Sequence, residues 1–271
     1  MEYRLLALDM DGTVLNSKKV IAPRTEEAIH QALAAGKEVL FATGRCPAEI
    51  GDLFASFPDM NYGMCISGAL ILNVGTGEIL TDIPIPRPMV ERIMAEGKKL
   101  EVMMSVSAGT DVFVERRHRG NMAYFNCQCF ASLYDGCARW VDDVEEVLEL
   151  NGDRVYKINY YCHDDETWRK AGAVLKDLPL SYASGIPMNF EISPQGVNKG
   201  VGLEILSRVT GIPVSQMIAV GDEGNDLEMI KAAGLGVAMG NAIEPVKSAA
   251  DVVTADCDHD GVAEVIEKYL L

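Results

Sequence analysis

Positive charge is scarce in this 271-residue sequence: 24 Lys and Arg stand against 40 Asp and Glu, a formal net charge of −16. That balance argues against nucleic acid or an anionic membrane as partner, because either needs a basic face. Long apolar runs are missing too, and none approaches the roughly 20 residues that a helix needs to cross a bilayer. The opening MEYRLLALDMDG carries Asp9 and Asp11 where a secretory signal would stay apolar, so a cytoplasmic location is expected. A disulfide framework is also lacking. The seven cysteines are odd in number and irregularly spaced, as reduced thiols are. Cys127 and Cys129, with Cys137 and His163 beyond, match no usual zinc spacing and read as small core or surface residues.

What is present is an ordinary globular composition, 48% hydrophobic and 24% charged, with length for one large domain or two moderate ones. The stretch that organises the rest is Leu5–Thr13, LLALDMDGT. Four apolar residues without polar alternation suit a strand buried on both faces, as in a parallel sheet. Asp9 and Asp11 then fall where the chain leaves that sheet, in the crevice where open α/β sheets bind ligands. Carboxylates so close repel unless a cation sits between them or one holds a proton. Gly12 permits a sharp turn, which makes the segment metal-ready; taken alone, it is equally an acidic turn after a core strand.

The α/β pattern continues with a helix over 23–35 closed by Gly36, a buried strand over 39–42, helical character over 47–57 and a third parallel strand over 62–67. From Asn73 it changes. A hairpin over 73–81 leads to prolines at 84, 86 and 88, the mark of a domain boundary. Between there and Ile192 the order helix–strand–strand is expected twice: a helix over 89–100 with strands over 102–106 and 111–115, then a strand over 154–161, a helix over 165–175 and strands over 180–184 and 188–192. Residues 124–150 read less clearly, as one or two helices with a loop around Gly136. The α/β pattern returns with helices over 199–210, 226–233 and 261–270 and strands over 217–220, 236–239 and 251–253. The fold class expected is therefore α/β, a Rossmann-like parallel sheet core with an inserted α+β cap domain. The core would be discontinuous, residues 1–83 and 191–271, and the cap would be residues 84–190.

Matching pieces close later strands: ATGR at Ala42–Arg45, NKG at Asn198–Gly200 and GDEGND at Gly221–Asp226. With DMDGT, these resemble the four motifs of the haloacid dehalogenase-like (HAD) superfamily of phosphohydrolases, in order and across nearly the whole chain. The likeness is greatest to Cof-type phosphatases with a large inserted cap. The resemblance implies Asp9 as the nucleophile that forms an aspartyl-phosphate; a carboxylate is already ionised and needs no base. It implies Asp11 as the acid for the leaving alkoxide and then the base for water, a division that needs environments pushing the two pKa values apart. Mg²⁺ would be held by the Asp9 carboxylate, the Asp11 backbone carbonyl and Asp222, with Asn225 and Asp226 supporting the metal shell. Thr43 would hold phosphate oxygens through its hydroxyl and backbone N–H, Gly44 would let the backbone come close, and Arg45 and Asn198 would contact substrate. Lys199 would neutralise Asp9 and the transferring phosphoryl group. A lysine at a helix start is otherwise disfavoured by the helix dipole, which supports a chemical role. Read in isolation, GDEGND is equally a solvated acidic turn that caps the next helix.

One departure is Ser67-Gly68-Ala69, where many relatives carry Asn-Gly-Ala; any substrate contact at position 67 is therefore not carried over. The cap run Arg116, Arg117 and Arg119 around His118 reads as a solvated charge run rather than an anion site. The activity implied is phosphatase action on a small phosphorylated metabolite, a sugar phosphate or a phosphorylated cofactor, with specificity set in the cap. A phosphomutase on the same scaffold is the alternative. A phosphoacceptor signalling domain fits less well, because its extra acidic pair precedes the phosphoacceptor, whereas here the extra acids follow Lys199. The oligomeric state is not legible in the sequence.

Overall fold

The computed structural model describes residues 2–271. The chain divides into two compact units, one of Met1–Arg45, Asp52–Asp82 and Asn198–Leu271, the other of Cys46–Gly51 and Ile83–Val197. The expected division at 83/84 and 190/191 thus compares with crossings at 82/83 and 197/198, and the short segment 46–51 groups with the inserted unit.

The first unit is built on a five-stranded, wholly parallel sheet in the order Val252–Val253, Leu235–Ala238, Met217–Gly221, Leu5–Leu8, Glu38–Phe41. The apolar run Leu5–Leu8 is central, and each of its residues is fully buried. Register does the next step. Leu8 lies opposite both Val220 and Phe41, so the chain leaves three adjacent strands at one level, into Asp9, Ala42–Thr43 and Gly221–Asp222. Helices Pro23–Ala34, Lys199–Thr210 and Leu227–Ala232 and the final Gly261–Val265, which widens over Ile266–Leu270, complete the unit's helical content beside the shorter Gly51–Ala55 and Glu244–Ala249.

The third strand meets expectation only in part. Tyr62–Cys65 belongs to a three-stranded antiparallel sheet with Leu70–Asn73 and Ile79–Asp82, and it also lies beside the end of Glu38–Phe41, bridged in parallel from Met64 to Ala42 with the Thr43 N–H donating to Met64 O at 2.8 Å. The parallel step from the second strand to the third is thus made, and the turn Ile66–Ser67–Gly68, with all three residues at positive φ, then reverses the chain into the antiparallel Leu70–Asn73. Helical structure over 47–57 is reduced to a single turn at Pro47–Glu49 and the short helix Gly51–Ala55.

The second unit carries a six-stranded sheet in the order Leu180–Ala183, Asn189–Pro194, Val155–Tyr161, Met103–Ala108, Asp111–Glu115, Arg139–Val141. All neighbours are antiparallel except the last pair. Helices Arg87–Lys99 and Asp165–Leu175 contribute Val90, Ile93, Ala171 and Leu175 to a core that also takes Val106, Ile158 and Ile192 from the strands. Alternation along the strands sends Met103, Val112, Val114 and Tyr161 into a second cluster, with Met122, Phe125, Cys127 and Tyr134. Cys127 is buried there and Cys129 is exposed. Gly136 lies inside the helix Ala131–Cys137 rather than in a loop, and the three-residue strand Arg139–Val141 went unread. Arg116, Arg117 and Arg119 are paired with Asp142, Glu115 and Asp135. Among the described residues, no helix is long and apolar enough to cross a membrane.

Candidate active site

Asp9, Asp222 and Asp226 gather at the carboxyl end of the parallel sheet, each offering an oxygen within 4.8 Å of the others', and all three are buried. Two of them follow directly from strand ends at matched register. Asp226 arrives through the tight turn after Met217–Gly221, and Gly221 is required for it: a Cβ there would lie 2.4 Å from the Asp226 carboxyl carbon.

Lys199 is the cation of this cluster. It is the first residue of the helix Lys199–Thr210 and completely buried, with Nζ 2.5 Å from Asp9 Oδ1 and 2.6 Å from Asp226 Oδ1. Burial alone would push the ammonium towards neutrality; the two carboxylates outweigh it and raise its pKa. The second oxygen of Asp226 accepts the backbone N–H groups of Asp222 and Glu223, at 2.9 and 3.0 Å. Both Asp226 oxygens are therefore engaged, which makes it a positioner of Lys199 and of the Asp222 loop.

Three carboxylates with one lysine leave the cluster short of positive charge. Burial, reinforced by Asp226 and Asp222, pushes Asp9 up to about 7 even with Lys199 opposing. Burial, with Asp226 and Glu223, raises Asp222 to about 6 against the hydrogen bond from Thr13. Hard, buried oxygen donors in electrostatic deficit are the donor set that a divalent cation of the Mg²⁺ type satisfies. The residues present fit such an ion, with Asp9 and Asp222 as its carboxylates.

Asp11 stands apart from the trio. Arg45 grips it in a two-point pair, Nε to Oδ2 at 3.0 Å and a terminal nitrogen to Oδ1 at 2.7 Å, and Lys19 Nζ adds a contact at 3.0 Å. Burial would raise the Asp11 pKa; the two cations outweigh it and hold the carboxyl below the usual range. Thr43 is buried, and its backbone N–H donates to Met64 O at 2.8 Å. That N–H is thus committed to the protein, and the hydroxyl, which also accepts the Arg45 N–H at 3.1 Å, remains as its polar group. Gly44 lies beside Ser67, whose hydroxyl would be 3.3 Å from a Cβ there. Asn198 caps the lysine helix, Oδ1 accepting Val201 N–H at 3.0 Å. Asn225 is exposed in the turn and is not brought into the acidic trio.

Three residues went unassigned in the sequence. Thr13 donates to Asp222 Oδ1 at 3.0 Å. Lys19 meets Asp11, and Asn241 Nδ2 reaches both Gly12 O at 2.8 Å and Asp222 Oδ2 at 3.1 Å. Thr13 sat within the first motif, and Asn241 lies just past the end of a parallel strand, the place where such sheets collect functional groups. Lys19 carried no comparable signal.

A family model described as haloacid dehalogenase-like hydrolase matches residues 6–266. The chain belongs to that family. It is a phosphatase of the haloacid dehalogenase-like hydrolases. A Bacillus subtilis relative, the 5-amino-6-(5-phospho-D-ribitylamino)uracil phosphatase YcsE, is 28% identical over 100% of this chain and 97% of its own. The crystal structure of a haloacid dehalogenase-like hydrolase from Bacteroides thetaiotaomicron superposes with a TM-score of 0.86 at 30% identity, covering 98% of this chain and 99% of the other. The HAD subclass IIB sugar phosphatase BT4131 does so with a TM-score of 0.78 at 25% identity over 97% and 98%. The α/β core with a cap domain is the architecture of these hydrolases.

Proposed function

We propose that this hydrolase cleaves phosphate monoesters of small metabolites, sugar phosphates or phosphorylated cofactor precursors, through a phosphoryl group carried on Asp9. The observation that carries the reading is the completely buried Lys199, held between Asp9 and Asp226 beside Asp222. Phosphoryl transfer needs an in-line nucleophile and neutralised oxygens more than it needs covalent acrobatics. In this reading an Asp9 oxygen attacks phosphorus, the bond from phosphorus to the ester oxygen breaks, and Asp11 supplies the proton to the departing alkoxide. Water then attacks the same phosphorus, Asp11 takes its proton, and Asp9 and inorganic phosphate are released. Lys199 and the Thr43 hydroxyl stand by the phosphoryl oxygens throughout. Mg²⁺, held by the Asp9 and Asp222 carboxylates and the Asp11 carbonyl, would neutralise charge on the phosphoryl group. For Asp11 to donate a proton it must exchange Arg45 and Lys19 for the leaving oxygen, which leaves Arg45 available to the substrate.

The substrate class rests on two relatives' activities, on a ribitylaminouracil phosphate and on sugar phosphates. A panel of phosphorylated sugars, sugar alcohols and cofactor precursors, assayed for phosphate release with Mg²⁺, tests it. Selective turnover of one such group, with a phosphoryl adduct trapped on the Asp9 peptide, is the result expected. Activity on the panel that survives in Asp9→Asn would overturn the mechanism, and no turnover of any member would overturn the substrate class.

A further inference from the structure

Asn241 lies in a turn that is stitched to the acidic loop along its backbone. Met239 N–H donates to Gly221 O and Ile243 N–H donates to Asp222 O, both at 3.0 Å. The backbone around Asn241 is therefore fixed relative to Asp222 before its side chain acts. The amide orientation follows from its partners: Oδ1 accepts the Cys257 N–H at 3.0 Å, which leaves Nδ2 to face Gly12 O and Asp222 Oδ2. One donor group thus spans the two loops that carry the proposed ligands. Asp222 is gripped on both oxygens, by Thr13 on Oδ1 and by Asn241 on Oδ2, and so cannot rotate about its carboxyl bond without losing one of them.

The bond to Gly12 acts on the other loop. Gly12 N–H donates to Leu15 O at 3.2 Å, so in a trans peptide the Asp11 carbonyl points the opposite way. The loop's own bonds, from Thr13 and Leu15 N–H to Met10 O, leave the Gly12 carbonyl to Asn241, and holding that carbonyl fixes the peptide that follows Gly12, which itself sits at φ +86°. We infer that Asn241 is a positioning residue for the divalent cation: its amide sets the Asp222 carboxylate and the Asp11 carbonyl at their mutual spacing before the ion arrives. This rests on the metal reading proposed above. Groups that orient ligands in this way are typically worth 10–100-fold in metal affinity.

Direct Mn²⁺ binding, followed by electron paramagnetic resonance of the free ion on the full chain without substrate, separates the possibilities. Asn241→Ala is an exposed-site truncation and leaves no core cavity. It should weaken Mn²⁺ binding by roughly 10–100-fold. Asp258→Ala is the control for loop loosening, since it removes the two Ser17 bonds that pin the same 256–260 segment without touching Gly12 or Asp222. It should bind Mn²⁺ as the unaltered protein does. Unaltered Mn²⁺ affinity in Asn241→Ala, or equal weakening in Asp258→Ala, would overturn the inference. Asp222→Ala reports on the underlying reading separately: if it binds Mn²⁺ normally, the metal site itself is wrong, whereas its loss beside a normal Asn241→Ala removes Asn241 alone.

Discussion

Lys199 and Asp226 meet with Nζ 2.6 Å from Oδ1, and neither exposes any side-chain surface. The pair closes a chain of contacts from Asp9 through Lys199 to Asp226 and on to the backbone N–H of Asp222. Of the three clustered carboxylates, Asp226 is the one whose two oxygens are committed to the Lys199 ammonium and to backbone N–H groups, whereas Asp222 is held by the neutral side chains of Thr13 and Asn241; Asp9 and Asp222 are therefore the carboxylates read as holding an ion.

That asymmetry predicts different losses from two similar substitutions. Asp222→Ala should raise the Mg²⁺ needed for half-maximal rate by at least on the order of 100-fold, above the effect of a supporting group. Asp226→Asn should leave that requirement within about tenfold while lowering kcat, because Lys199 loses a partner. It should also cost about 3 kcal/mol of stability, since a buried ion pair is broken on one side. Rate against Mg²⁺ after chelation, beside thermal unfolding, checks both; an Mg²⁺ shift in Asp226→Asn as large as that in Asp222→Ala would make Asp226 a ligand instead.

Asp9→Asn should lower turnover by on the order of 10³-fold or more, the amide being a far poorer nucleophile. Its fold should persist, as Lys199 retains Asp226 and the substitution relieves crowding among buried carboxylates. Phosphate release and far-ultraviolet circular dichroism read the two halves. A folded Asp9→Asn protein with near-normal turnover would remove Asp9 from the chemistry.

Gly12→Ala tests how tightly the first loop is held against Asp222. At φ +86° an alanine is strained, and its Cβ would sit 2.3 Å from Asp222 Oδ2. The strain costs about 1–3 kcal/mol, and Asp222 must leave Asn241 to make room. Loss of Mg²⁺-dependent activity accompanied by a lowered Tm is the expected outcome. Full activity with an unchanged Tm would mean that the loop has freedom the structure does not show.

The parallel core was legible because its signals are local: unbroken apolar strands such as Leu5–Leu8, each ending in a chemical residue. The grouping of Asp9, Asp222 and Lys199 was legible only through the resemblance, since nothing local tells how strands far apart in sequence lie in register. The antiparallel turn at Ile66–Gly68 was hidden because positive φ at isoleucine and serine runs against their preferences, and tertiary context imposes it. Asn241 was hidden for another reason. Its partners Gly12 and Asp222 are distant in sequence, and a single asparagine in a turn carries no pattern.

The last prediction concerns Glu115 in the inserted unit. Its side chain is almost wholly buried, 3% exposed, with Oε2 2.8 Å from an Arg117 terminal nitrogen and 3.3 Å from His118 Nε2, and Oε1 accepting Val144 N–H at 3.4 Å. Burial would raise its pKa, but His118 and Arg117 outweigh burial and hold it below the usual carboxylate range. A depressed folded-state pKa contributes stability above the unfolded value of about 4.3, and that stability is lost as pH falls through the folded value. Glu115→Gln keeps the shape and removes the charge, so it should destabilise this unit by about 1–3 kcal/mol at neutral pH. The difference from the unaltered protein should shrink as pH falls below about 4. The measurement is selective, because both tryptophans, Trp140 and Trp168, lie in this unit and their fluorescence during denaturant unfolding reports on it alone. A penalty that stays constant from neutral pH into the acid range would show that Glu115 acts through packing rather than charge, and its pairing with Arg117 and His118 would then contribute nothing to stability.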